Sequence, residues 1–236
     1  MRGHLIVIEG CDRSGKSTQC ERLLQRLQQE NKPVQLFKFP GKPSSYPTSL
    51  DKLVDAIVSP LPLCLLIDRT TQTGKMIDSY LKQSTQMDDR AIHLLFSANR
   101  WEAMEHMKNL LEEGTTLIVD RYAFSGVCFS AAKGLDFEWC RQPDIGLLSP
   151  DVVMFLDLSL DEAEKRGGFG EERYEKRDLQ QRVRQEFNKV MDQSWKMIDA
   201  SKTMDQVHDD MVAVVNALPP NRAPLKSDLW IDLQRS

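Results

Sequence analysis

The chain has 236 residues, a formal charge of −4 and 41% hydrophobic residues. That length buries a sizeable core, as one large domain or two small ones. The charge gives no global basic field for nucleic acid, and no apolar run approaches the ~20 residues of a membrane helix. Arg2 and His4 are followed by no long apolar region, so no secretory signal is expected. Cys11, Cys20, Cys64, Cys128 and Cys140 are odd in number and lack Cys-x-x-Cys spacing. A reducing, cytoplasmic setting without disulfide framework or zinc site is expected.

In chain order, Leu5-Ile6-Val7-Ile8 predicts a short buried strand, and Ser17 to Gln28 an amphipathic helix with Leu23, Leu24 and Leu27 on one face. Val34 to Phe39 alternates and predicts a second strand, ended by Pro40. Thr73 to Lys82 reads as helix. Asp88 to Glu113 reads as a long helix with Ile92, Leu95, Phe96, Trp101, Met104 and Leu110 at helical spacing, stopped by Gly114. Thr116 to Val119 and Val152 to Leu156 predict two more buried strands. Asp161 to Arg166 predicts a short helix, Gly167 to Gly170 a loop, and Tyr174 to Trp195 a helix. Met197 to Asp199 predicts a last strand and Met204 to Leu218 a last helix; the polar, Pro-containing stretch from Pro219 to Ser236 reads as a tail. Strands alternating with helices predict an α/β fold, a central parallel five-stranded sheet flanked by helices in three layers. Ligands of such sheets sit at the carboxyl ends of the strands.

The first such end carries Gly10-Cys11-Asp12-Arg13-Ser14-Gly15-Lys16-Ser17, a G-x-x-x-x-G-K-[ST] phosphate loop between strand and helix. Gly10 and Gly15 permit backbone angles that turn successive N–H groups inward, and the helix N-terminus adds partial positive charge. That dipole contributes roughly 0.3–1 kcal/mol, too little to hold and activate a triphosphate. Lys16 on the terminal phosphates and a Mg²⁺ ligated by Ser17 must supply the rest. Asp120, closing an apolar strand, can reach the Mg²⁺ shell, and Arg121 beside it can span two phosphates. Cys11 lies inside the loop, where a small filler and a reactive thiol are both chemically open. A nucleotide-switch GTPase would need an Asn-Lys-x-Asp base reader, and Asn31-Lys32-Pro33-Val34 lacks the acid.

The blocks His93-Leu94-Leu95-Phe96-Ser97-Ala98-Asn99-Arg100-Trp101, Asp120-Arg121-Tyr122-Ala123-Phe124-Ser125-Gly126 and Glu172-Arg173-Tyr174-Glu175, with the phosphate loop running on to Thr18, resemble the signature blocks of the thymidylate kinase family. The resemblance implies a P-loop NTPase fold with a short glycine-containing lid at 165–175, within one kinase domain over residues 1–218. It implies ATP-dependent, Mg²⁺-assisted phosphorylation of dTMP to dTDP, no nucleic-acid or membrane partner, and a homodimer through the helix from Asp88. Another nucleoside monophosphate kinase, or an impaired nucleotide-binding paralogue, are the alternatives.

The resemblance also implies roles. Asp12, Arg13, Ser14, Gly15, Lys16, Ser17 and Thr18 bind ATP, with Arg166 over the adenine and Lys202 at its border. Phe96 stacks on thymine and Arg100 bonds a thymine carbonyl. Arg69 and Arg121 hold the acceptor phosphate, Asp12 contacts the 3′-hydroxyl, Tyr174 crowds the 2′ position, and Ser125, Gly126 and Gln180 line the base pocket. Arg13, with no basic residue in Gly167-Gly168-Phe169-Gly170, resembles the eukaryotic branch, in which the loop supplies the cation for the transferring phosphoryl group. Arg13, Lys16, Asp120 and Arg121 are thus the catalytic set.

One segment departs from the family. Residues 41–67 intervene between Phe39-Pro40 and Asp68-Arg69, which the family keeps close together. Leu61-Pro62-Leu63-Cys64-Leu65-Leu66-Ile67 would need an apolar partner surface. Gly41-Lys42 can be encoded by a splice-donor-like start and the apolar end by a pyrimidine tract, so a translated intron is the expectation; a genuine insertion is the alternative.

Overall fold

The structure, a computed structural model, describes residues 1–39, 71–166, 174, 176–220 and 223–231. Among them, β1 (Leu5–Glu9), β2 (Val34–Lys38), β3 (Thr116–Asp120), β4 (Val152–Asp157) and β5 (Lys196–Asp199) pair in the order β2-β3-β1-β4-β5, every pair parallel. β1 lies in the middle, and all its residues are buried. Strands covered on both faces read as unbroken Leu/Ile/Val runs because neither face meets water. Side chains alternate across the sheet. Leu5 and Val7 therefore join one core with Val119, Phe155, Met107, Leu111 and Phe187. Ile6 and Ile8 join the other with Ile118, Met154, Leu23, Val207 and Met211.

The helices are α1 (Lys16–Gln29), α2 (Gln72–Leu81), α3 (Asp89–Glu112), α4 (Ala123–Ala131), α5 (Phe137–Arg141), α6 (Leu160–Lys165), α7 (Arg177–Val190) and α8 (Met204–Asn216), with a 3-10 turn at Gln142–Asp144. Side-chain caps start several of them. Thr71 accepts from Gly74 N, Asp88 from Arg90 N, and Thr203 with Gln206 closes a capping box. Each such cap satisfies an otherwise orphaned amide and contributes about 1 kcal/mol.

Three differences from the sequence reading have physical causes. The helix expected over 174–195 spans only Arg177–Val190. Ser194 donates its backbone N–H and its hydroxyl to Asp192 Oδ1, a local pattern that competes with helix. Trp195 then enters the core edge-on to Phe124, with ring centroids 4.9 Å apart. Second, α4 has Gly126, Ser125 and Cys128 in a short span, a composition with weak helix propensity. It forms because Glu9, at the end of β1, accepts from Tyr122 N at 2.9 Å and Ser125 N at 3.1 Å, capping α4 from across the sheet. Third, residues 223–231 are not a detached tail. Leu229 is buried in the core and pairs with Gly146 N and Leu147 O through its backbone, and Trp230 packs on Phe124. The domain therefore extends past the expected boundary at 218. The expected insertion at 41–67 and most of the expected lid lie outside the described residues.

Candidate active site

The loop after β1 is shaped by its glycines. Gly10 has φ +145°, and a Cβ there would meet Leu156 O at 2.6 Å, so no side chain fits. Gly15 has φ +90° and starts α1 without a side-chain cap, leaving the first-turn amides for an anion. Lys16 is buried and folds back over the loop, its Nζ donating to Cys11 O at 2.6 Å and Ser14 Oγ at 3.3 Å. Burial, then the nearby Arg121 charge, push its ammonium down to about 8. Cys11 is buried and burial pushes its thiol up, which fits the filler rather than a reactive thiolate. Thr18 stands exposed in the first turn of α1. Arg13 sits half-buried in the loop at φ +63°, a left-handed conformation that costs a non-glycine residue energy and recurs at functional sites.

The end of β3 meets this loop. Ser17 Oγ donates to Asp120 Oδ2 at 2.6 Å, and Lys38, its register partner on β2, brings Nζ within 3.4 Å of the same oxygen. Asp120 Oδ1 is buried and has no hydrogen-bond partner among the described residues. Arg121 adopts φ +70°. Its Nη2 pairs with Asp12 Oδ1, its Nη1 donates to Ser125 Oγ at 3.3 Å, and its guanidinium lies 5.3 Å from the Phe129 ring centroid. Asp12, Asp120 and Glu9 outweigh burial and raise its pKa, so it stays charged. Glu9 is fully buried; besides its two backbone donors it accepts from Ser125 Oγ. One carboxylate thus fixes the turn that aims Arg121 and Ser125.

From Ser17 and Arg121 a cleft of about 620 Å³ runs to Phe96, Arg100, Gly126 and Tyr174. Phe96 packs beside Ile77, Tyr80 and Ile92 at the slot wall. Tyr174 stands against Tyr80 and Phe129, with centroids 6.2 and 5.6 Å away. Arg100 is buried, held by Asp144 through Nε–Oδ1 at 3.1 Å and Nη2–Oδ2 at 2.6 Å. Gly126 lies under that guanidinium: a Cβ there would meet Nη2 at 2.9 Å and Nη1 at 3.0 Å.

Two expected residues are engaged elsewhere. Gln180 is buried but does not line the cleft. Its amide accepts from Asp12 N at 3.0 Å and donates to Asp12 Oδ2 and Tyr174 O, and so orients Asp12. Lys202 ion-pairs with Asp210 of α8 at 2.7 Å. Arg166 does reach the loop. Its guanidinium bridges Arg13 O at 3.0 Å and Ala200 O at 2.6 Å, close to Gly15 at the start of α1. Arg69 lies outside the described residues.

Glu9, Lys38 and Asp144 escaped the sequence reading. A charged residue ending an otherwise apolar strand signals the first two, as it did Asp120. Asp144, in a short turn far from Arg100 in sequence, carries no such local signal.

The fold and the site define a P-loop nucleotide-binding enzyme with a cleft running from the phosphate loop, the class of the nucleoside monophosphate kinases. The profile of one such family, thymidylate kinase, matches residues 8–59 and 68–211. The chain is 48% identical to the thymidylate kinase of Arabidopsis thaliana, covering 91% of this chain and 71% of that one. It is 43% identical to that of Homo sapiens, covering 89% and 88%. A solved thymidylate kinase from Candida albicans superposes with a TM-score of 0.74 at 36% identity, covering 91% of this chain and 92% of that one. The chain belongs to the thymidylate kinase family.

Proposed function

We propose that this chain transfers the γ-phosphoryl group of ATP to dTMP, giving ADP and dTDP. The observation that carries the reading is the single cleft joining the Ser17–Asp120–Arg121 cluster to the Phe96–Arg100–Gly126 slot. The first can neutralise phosphates; the second presents an aromatic face and fixed donors to a base. A phosphate oxygen of dTMP attacks the γ-phosphorus while the bond to the ADP oxygen breaks. The acceptor oxygen is already anionic, so no general base is required, and positioning with charge neutralisation suffices. Lys16 turns from Cys11 O to the donor phosphates, Arg121 holds the acceptor phosphate, and Arg13 meets the charge gathering on the transferring group. Arg166 covers the adenine. Tyr174 crowds the sugar edge, and Asp12, oriented by Gln180, meets the 3′-hydroxyl.

Asp120 Oδ1, buried without a partner among the described residues, and Ser17 Oγ fit Mg²⁺, which takes one or two protein oxygens and leaves the rest to phosphates and water. Among the described residues no three-member His, Cys, Asp or Glu group marks a dedicated protein cage. The ion, when bound, neutralises β- and γ-phosphate charge. A homodimer through α3 and a cytoplasmic location belong to the same reading; among the described residues no helix is long and apolar enough to cross a membrane. Residues 41–67 are read as translated intron from their composition and coding pattern; the thymidylate kinase family model leaves 60–67 unmatched and matches 41–59. Sequencing the transcript tests this: a message that always carries these codons overturns it.

A coupled assay of ADP release over dTMP, dUMP, dCMP, dGMP and AMP tests the function. Turnover with dTMP above the others is expected; a different preferred nucleotide, or none, refutes it.

A further inference from the structure

Asp144 is fully buried, lies outside the cleft lining, and has no part in the chemistry described so far. Three residues on about one turn of α3 are fastened to its segment. Ser97 Oγ donates to Asp144 Oδ1 at 2.7 Å and Pro143 O at 3.0 Å, and Trp101 Nε1 donates to Pro143 O at 2.7 Å. Between them Arg100 gives Asp144 its Nε–H and one Nη2–H.

A guanidinium has five N–H donors, no acceptor, and keeps its proton in any protein. Asp144 fixes one edge of that plane, and Gly126 lies close to its Nη atoms, leaving the group no room to swing that way. The remaining N–H groups belong to the edge that Asp144 does not take, and Arg100 borders the cleft beside Phe96. A free arginine could rotate to avoid a poor partner; this one is held in place by two bonds and by packing.

We infer that Asp144 is the residue that sets base-class selectivity, by locking Arg100 as a donor-only edge that accepts a keto pyrimidine and rejects an amino pyrimidine. The inference rests on the proposed acceptor site. Thymine and uracil offer this edge a carbonyl. Cytosine offers an amine, so donor meets donor and neither finds its partner. A site built around one hydrogen bond rejects the analogue lacking it by up to 10⁴–10⁵-fold, far more than a methyl group achieves. Asp144 is a positioning residue: it acts through Arg100 and touches no substrate.

The test measures kcat/KM for dTMP, dUMP and dCMP, with KM for ATP and Tm, in wild type, Asp144→Asn, Arg100→Leu and the double variant Arg100→Leu/Asp144→Leu. Asp144→Asn sets an amide donor against Nη2 and is expected to reduce the dTMP:dCMP ratio by about 10²-fold or more. The dTMP:dUMP ratio should change less than threefold, because both bases present the same carbonyl. Adding Asp144→Leu to Arg100→Leu should leave the dTMP:dCMP ratio within threefold of the Arg100→Leu value, since Asp144 then has no guanidinium to position and keeps only the Ser97 hydroxyl. Replacing both members of a buried ion pair by apolar residues is commonly tolerated, so the double variant decides the matter if Asp144→Asn does not fold. Parallel loss on all three nucleotides with an unchanged dTMP:dCMP ratio in Asp144→Asn, or a wild-type dTMP:dCMP ratio in the double variant, overturns the inference. Failure of wild type to phosphorylate dTMP refutes the proposed function instead, so the two failures are separable.

Discussion

Raising the pH from 7 to 9 is expected to weaken ATP binding about tenfold through Lys16 alone. In the nucleotide-free site its ammonium titrates at about 8, displaced from 10.5 by burial and by Arg121. At pH 7 about nine-tenths of the protein carries the charge, and at pH 9 about one-tenth. A bound polyphosphate needs that charge and restores the ordinary pKa. Above pH 8 each unit therefore costs about a factor of ten in affinity, ~1.4 kcal/mol. Calorimetric titration with ATP at pH 7, 8 and 9, in buffers of different ionisation enthalpy, should show uptake of about half a proton per ATP at pH 8 and nearly one at pH 9. Lys16→Met should abolish that uptake. Flat affinity across the range with no proton uptake would refute the reasoning. The sign for stability follows from the same displacement. The unfolded chain holds this proton more tightly than the folded one. Lys16 therefore destabilises the nucleotide-free fold by about 3 kcal/mol below pH 8, and the penalty is relieved as pH rises from 8 to 10.5. Lys16→Met should melt higher than wild type at pH 7 while losing activity.

Further predictions rest on single contacts. Gly126→Ala sets a methyl 2.9 Å from Arg100 Nη2, which Asp144 prevents from yielding. It should destabilise by about 1–3 kcal/mol and raise KM for dTMP with KM for ATP unchanged, as steady-state kinetics and urea unfolding would show. Glu9→Ala orphans two backbone amides at the start of α4, a loss of about 2–6 kcal/mol, whereas Glu9→Gln keeps an acceptor for both and should lose far less; paired urea midpoints discriminate. Arg13→Gly should cut kcat by roughly 10³–10⁵ with smaller changes in nucleotide affinity. A turnover within tenfold of wild type would remove Arg13 from the catalytic set.

The legible parts of this chain are those whose physics is local. Strand, loop and helix over residues 5–29 could be read because an apolar run, two glycines at fixed offsets and an amphipathic period lie side by side. Asp120 and Arg121 drew attention because charge ends a buried strand beside a phosphate loop; without that loop a strand-capping acid and a surface arginine explain the pair equally well. The roles of Phe96, Arg100 and Tyr174 came from family resemblance: an aromatic or arginine on a helix looks alike whether it faces a core or a ligand. Helix α4 was illegible because its stability comes from Glu9, more than a hundred positions earlier, and not from its own propensities. The contacts of Gln180 with Asp12 and Tyr174 O were not legible, since helix spacing fixes a face and not the atom a side chain meets. Asp144 could not be read at all, because only the folded chain brings a turn residue to an arginine on α3.

Arg2 and residues 223–229 are fastened to the same stretch, residues 146–151. Arg2 pairs with Asp151 through Nη2 at 2.7 Å and donates from Nε to Ala223 O at 2.9 Å. Ser149 N reaches Lys226 O, and Trp230 closes over Phe124, next to Ser125 and Gly126. Every phosphate-binding and base-binding motif precedes residues 223–231 in the chain. A chain cut before residue 223 would keep the full set of kinase motifs and lose the Trp230–Phe124 and Leu229–Leu147 contacts that brace α4 and the turn before β4.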